Sequence, residues 1–135
     1  TGQSVALISD AGTPGISDPG AVLIEKAIES GIDVISIPGP SALVAAISIS
    51  GLLIKEFTFI GFLPPKTAQR QKTLTSIEME QRTLLFYEAP HRIIETLDDM
   101  HEIFGDRKAS VAKEITKLHE EVLRGNLSEI ISMLD

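Results

Sequence analysis

Apolar residues along the chain fall into two alternating patterns, short continuous runs and wider helical spacing. Residues 4–9 carry Val5, Ala6, Leu7 and Ile8 in succession and read as a buried strand. Residues 21–30 space Val22, Leu23, Ala27 and Ile28 around Glu25, Lys26 and Glu29, which predicts a helix stopped by Gly31. A second apolar run, 32–37, ends at Pro38-Gly39-Pro40, where Ser41 can cap a helix over 42–50. That helix is apolar almost all round and is expected to be buried. Two strand–loop–helix units with near-continuous apolar strands predict an α/β fold with a parallel sheet covered on both faces.

The pattern changes after Gly51-Leu52-Leu53. Strands are expected at 57–62, 83–87 and 109–112, a strand or turn at 122–126, and helical stripes at 67–81, 91–104 and 127–134. Asn126 stands where it can cap the last helix. A boundary between 51 and 57 divides the chain into domains at 1–54 and 55–135. The chain enters a strand pattern almost at its first residue and has no initial Met, so a fragment of a longer protein is expected.

Composition narrows the chemistry. Of 135 residues, 43% are hydrophobic and 23% charged, which is globular rather than disordered. A net charge of −7 excludes a chain that is a polycation throughout. The absence of cysteine removes disulfides, thiol nucleophiles and thiolate metal sites. His91, His101 and His119 are too scattered to suggest a metal cluster, so no metal is expected. No apolar run reaches the ~18 residues of a membrane span. A soluble, cytoplasmic protein is expected.

The informative segments are the bends. In parallel α/β sheets, ligands bind beyond the carboxyl ends of the strands. The segment Asp10-Ala11-Gly12-Thr13-Pro14-Gly15-Ile16-Ser17-Asp18-Pro19-Gly20 is longer than the ~2–6 residues of a simple βα turn. Glycine and proline let its backbone approach a ligand in a fixed shape. Neither this bend nor Pro38-Gly39-Pro40 fits the dinucleotide or P-loop fingerprints, so neither cofactor class is supported.

Five ordered motifs are similar to those of the ribosomal RNA small subunit methyltransferase I family, within the tetrapyrrole methylase superfamily. They are the 10–20 bend; Pro38-Gly39-Pro40-Ser41-Ala42 with Ser48-Ile49-Ser50-Gly51-Leu52; Gly61-Phe62-Leu63-Pro64-Pro65-Lys66; Phe86-Tyr87-Glu88-Ala89-Pro90-His91-Arg92; and Ala112-Lys113-Glu114-Ile115-Thr116-Lys117. The resemblance covers essentially the whole chain. It implies the rear part of a parallel-sheet N-terminal domain plus a mixed-sheet α/β C-terminal domain, with an N-terminal segment missing. It also implies S-adenosylmethionine as cofactor, in a cleft between the two domains, and 2′-O-methylation of a cytidine in small-subunit ribosomal RNA. On this reading the fragment alone is expected to be inactive. A tetrapyrrole acceptor, and a non-catalytic binding or assembly module, remain the alternatives.

The resemblance further implies that Ala11, Gly12, Thr13, Ile16, Ser41, Ala42, Glu88 and Ile115 meet the cofactor, with Thr13 where relatives often carry Asp. A ribose 2′-hydroxyl is a poor nucleophile, and a positioned base or cation would help it. Glu88, His91 and Lys113 are the catalytic candidates, with Glu114 beside them; a structural or solvated role is the stronger expectation for each, His91 closing the turn after Pro90 and Lys113 pairing with Glu114 or a surface neighbour. RNA, as free ribosomal RNA or the assembled small subunit, is the expected partner. Residues 66–92 carry five cations against three carboxylates, and 107–117 carry four against one. Such stretches suit phosphate contacts. Unpaired strand edges would also favour a homodimer.

Overall fold

The computed structural model describes residues 2–10 and 12–135. The chain divides into two compact units, 1–42 and 43–135.

In the first unit, α1 (Ala21–Glu29) forms where the spacing predicts it. Ser30 closes the helix, its N–H donating to the carbonyls of Lys26 and Ala27. Residues 4–9 and 32–37 depart from expectation, for neither is a strand. A strand exists only as one side of a hydrogen-bonded ladder, and among the described residues these segments have no ladder partner. Their apolar side chains stand in solvent, Val5 at 90% and Ile35 at 80% exposure.

Helix α2 (Ala42–Ile49) follows the second bend. The expectation that it would be buried does not hold. None of its residues is buried, and Val44 is well exposed. Uniform apolarity lets a helix be covered on every side but supplies nothing to cover it.

The second unit holds the core. The segment β1 (Phe57–Phe62), α3 (Thr67–Ser76), β2 (Thr83–Tyr87) is a strand–helix–strand unit, and its strands pair in parallel from Phe57 opposite Thr83 to Phe62 opposite Tyr87. Parallel pairing needs a crossover of this kind. The register slips between Phe59 and Gly61, leaving Ile60 as an extra residue. A short 3-10 turn, Pro90–Arg92, leads into α4 (Ile93–Phe104). Strands β3 (Lys108–Lys113) and β4 (Glu121–Asn126) form an antiparallel hairpin, and α5 (Leu127–Leu134) closes the chain.

Leu63, Leu74, Leu97, Met100, Leu127 and Ile130 form one buried cluster, with Phe86, Val111 and Leu123 packed against it. The fold is thus α/β, with one parallel and one antiparallel strand pair. Helix α3 stops at Ser76, earlier than the 67–81 stripe predicts, because Ile77 leaves helical geometry at φ −119°. Inside the core, Arg70 of α3 is ion-paired with Asp99 of α4, and Gln71 donates to the other oxygen of Asp99 at 2.8 Å.

Candidate functional site

The two bends of the first unit lie side by side. Thr13 Oγ1 donates to the Pro40 carbonyl at 3.4 Å, joining residues 27 apart in sequence. Gly12 has φ 73°, a region that glycine enters without a steric penalty. A Cβ there would meet only the Pro40 carbonyl oxygen, at 3.9 Å, and one on Gly39 would meet nothing within 4 Å. The main chain is therefore open to one side at Gly12 and at Gly39. Gly20 is tight instead, since a Cβ would come within 2.8 Å of Leu7 Cδ2, so this glycine lets the bend close against the 4–9 segment. Ile16 is half-exposed, and Ser41 and Ala42 sit where α2 begins. Ala11 lies outside the described residues.

In the second unit, Glu88 and His91 belong to the turn beyond the carboxyl end of β2. Parallel strands place ligands at that end. Both oxygens of the Glu88 carboxylate are engaged. Oε1 accepts from the Ala89 N–H at 2.7 Å and from Arg92 Nη2 at 2.5 Å, while Oε2 accepts from Thr96 Oγ1 at 2.7 Å. Its side chain is only 5% exposed. Glu88 is thereby tied to structure, and the His91 imidazole is the exposed titratable group of the turn. The sequence does place Arg92 and Thr96 four and eight residues beyond Glu88, but that spacing points to a shared face only within a helix, and Glu88 precedes one.

Lys113 ends β3 and pairs with Glu121, its cross-strand partner, at 2.5 Å on the surface. Half-buried Ile115 lies between Glu114 at φ 52° and Thr116 at φ 69°. Two left-handed non-glycine residues around one position are uncommon, and Thr is β-branched. The Thr116 N–H donates to Glu120 Oε2 at 2.6 Å, and Lys117 pairs with Glu114 at 3.2 Å, so this reversal is held by its own polar groups.

The basic stretches are less open than their composition implies. Arg70 is buried against Asp99, Arg82 pairs with Glu80, Arg92 with Glu88, Lys113 with Glu121 and Lys117 with Glu114. Lys66, Lys72 and Lys108 are exposed. Phe86 and Tyr87 are half-buried in β2, and the Tyr87 ring packs edge-on to Phe59 at 5.0 Å between centroids. That ring is engaged within the β1–β2 pair.

Residues 1–131 match the family pattern described as Tetrapyrrole (Corrin/Porphyrin) Methylases, and the chain belongs to that family. Within it, the chain is similar to proteins named ribosomal RNA small subunit methyltransferase I. It is 55% identical to that of Xylella fastidiosa, over 96% of this chain and 48% of the relative. Identity is 51% to that of Halalkalibacterium halodurans, over 96% and 45%, and 48% to that of Thermotoga maritima, over 97% and 59%. The chain spans about half the length of the curated relatives it matches. No helix among the described residues is long and apolar enough to cross a membrane.

Proposed function

We propose that this chain is part of an S-adenosylmethionine-dependent methyltransferase that modifies the 2′-hydroxyl of a cytidine in small-subunit ribosomal RNA. The observation that carries this reading is the contact between Thr13 and Pro40, which brings the two bends together beside the open main chain of Gly12 and Gly39. Similarity to the ribosomal RNA enzymes favours RNA over a tetrapyrrole as acceptor. A ribosomal substrate would place the protein in the cytoplasm. In domain terms, residues 1–54 would be the remainder of a cofactor-binding domain and 55–135 a second α/β domain.

The residues present fit the cofactor. Gly12 and Gly39 leave space along the bends for a methionine tail or an adenosine to lie against main-chain donors and acceptors. Gly12, Thr13, Ile16, Ser41 and Ala42 would hold it in the first unit. Family resemblance alone would add the main chain at Glu88 and Ile115 to this set. When bound, S-adenosylmethionine supplies an electrophilic methyl group on a sulfonium. The protein's own contribution is then mainly alignment of the acceptor. Exposed His91 would be the candidate side chain to assist the acceptor hydroxyl. Glu88 orients the turn that carries His91, and Lys113 is a surface cation whose charge is shared with Glu121. Phosphate contacts fall to exposed Lys66, Lys72 and Lys108. The same reading includes a homodimer joined through the exposed apolar segments 4–9 and 32–37.

Calorimetric titration with S-adenosylmethionine and S-adenosylhomocysteine tests the cofactor assignment, on this chain and on one extended to the length of its relatives. The longer form is expected to bind clearly and the shorter one weakly. Failure of both to bind would reject the assignment. Methyl transfer to small ribosomal subunits, and not to a tetrapyrrole precursor, is expected; the reverse would favour the corrin and porphyrin chemistry in the family's description. Light scattering that found only monomer at high concentration would remove the dimer.

A further inference from the structure

The turn after β2 is far more constrained than a surface connection needs to be. Three donors converge on one carboxylate, Glu88, and each comes from a different kind of group. The Ala89 N–H is the next residue's main chain, Arg92 contributes a guanidinium from the 3-10 turn, and Thr96 contributes a hydroxyl from α4. Thr96 is 1% exposed, so its hydroxyl faces the interior. Its helix carries Leu97 and Met100 into the core and is tied to α3 through Asp99 and Arg70. Burying a carboxylate is costly unless it is paired and hydrogen-bonded. Here both compensations are present, and together they fix the main chain from Glu88 to His91 against the most anchored helix of the unit. With the carboxylate committed in this way, Glu88 is an unsuitable proton acceptor.

We propose that Arg92 and Thr96 are positioning residues that act through Glu88 to hold the Glu88–His91 main chain in the shape that receives the cofactor. This inference rests on the proposed methyltransferase reading. A turn that contacts the cofactor alike in the ground and transition states contributes uniform binding, so loosening it should raise KM and leave kcat nearly unchanged. A group that accepts a proton during reaction would give the opposite split.

The test uses the protein extended to the length of its relatives. Thr96→Val keeps the side-chain shape but leaves Oε2 of Glu88 without its donor. It is expected to raise KM for S-adenosylmethionine about tenfold with kcat within about twofold. Thr96→Ser restores the hydroxyl and is expected to recover most of the affinity. Arg92→Lys keeps the charge without the guanidinium fork and should fall between wild type and Thr96→Val. Hydrogen exchange at the Ala89 amide gives an independent readout and should accelerate in Thr96→Val and Arg92→Lys but not in Thr96→Ser. Wild-type KM and wild-type Ala89 exchange in Thr96→Val would overturn the inference. So would a fall in kcat at constant KM, which would make Glu88 a participant in proton transfer. If the unsubstituted protein fails to bind S-adenosylmethionine, the methyltransferase reading falls instead, and Ala89 exchange still reports whether the network holds the turn.

Discussion

Replacing Asp99 by alanine should be among the most damaging single changes to the second unit. Arg70 is 2% exposed, so its charge is almost completely withdrawn from water. Asp99 is its close partner and also accepts from Gln71 Nε2 at 2.8 Å. The other carboxylate in range, Glu95, lies 3.7 Å from Arg70 Nη2 and is 69% exposed, so it is a weak substitute. Arg70 Nη1 already has no hydrogen-bond partner. Asp99→Ala therefore strands a buried guanidinium, a defect that costs about 3–5 kcal/mol. That is a large share of the ~5–15 kcal/mol that a domain has in total. With a urea m-value of ~2 kcal/mol per molar, the unfolding midpoint should fall by about 1.5–2.5 M. The double variant Arg70→Met with Asp99→Leu removes both charges and fills similar volume, so it should return to within ~1 kcal/mol of wild type or exceed it. A loss below ~1 kcal/mol for Asp99→Ala would refute the stranded-charge reasoning. A double variant as unstable as the single one would place the cost in packing instead.

Three further outcomes follow from other contacts. Arg124 donates from Nε at 3.1 Å and Nη2 at 2.5 Å to the Ile49 carbonyl, at the end of α2. Arg124→Ala should cost about 1 kcal/mol and speed amide exchange in the last turn of α2, with Arg124→Lys recovering part of the loss. Glu80 is held well below its ordinary value of 4.5, at about 2, chiefly by the side-chain hydrogen bond from Arg82. Because its folded value is the lower one, its contribution to stability is whole above pH 4.5 and is lost as pH falls toward 2. Carboxyl NMR titration should show Glu80 returning toward its ordinary range in Arg82→Ala. Asp106 is lowered from 3.8, first by the Ser128 backbone hydrogen bond, and should lose its contribution over the same acid side.

How much could be read from the sequence depended on where each element's partners lie. The strands at 57–62 and 83–87 have the predicted bounds because each finds its partner within the chain. Helix α5 follows Asn126 as expected, and the Asn126 N–H is held by Glu129 Oε2 at 2.7 Å, a pairing visible in the three-residue spacing. The runs at 4–9 and 32–37 are equally apolar, yet an apolar run fixes only a preference for burial, and the ladder must come from another strand. Helix α2 fails as a buried element for a related reason, since composition says what a surface tolerates and not what lies on it. The two bends were legible because glycine and proline constrain the main chain locally. Their proximity was not, for it rests on one side-chain contact, Thr13 to Pro40, across 27 residues.

The candidate catalytic side chains show the same division in chemical form. Glu88, Lys113 and Glu114 are residue types that serve acid–base work, and composition cannot tell a working carboxylate from a structural one. The structure spends each of them: Glu88 on Arg92 and Thr96, Lys113 on Glu121, and Glu114 on Lys117. Of the described catalytic candidates, only His91 is left without such a pairing, and the main chain is open at Gly12 and Gly39. An inventory of that kind suits a reaction whose driving force resides in an activated donor. Displacement at a sulfonium methyl asks the protein chiefly for alignment, and correct alignment can supply ~7–11 kcal/mol of the barrier. On the proposed methyltransferase reading, His91→Ala should therefore lower the rate far less than the loss of an obligatory base would.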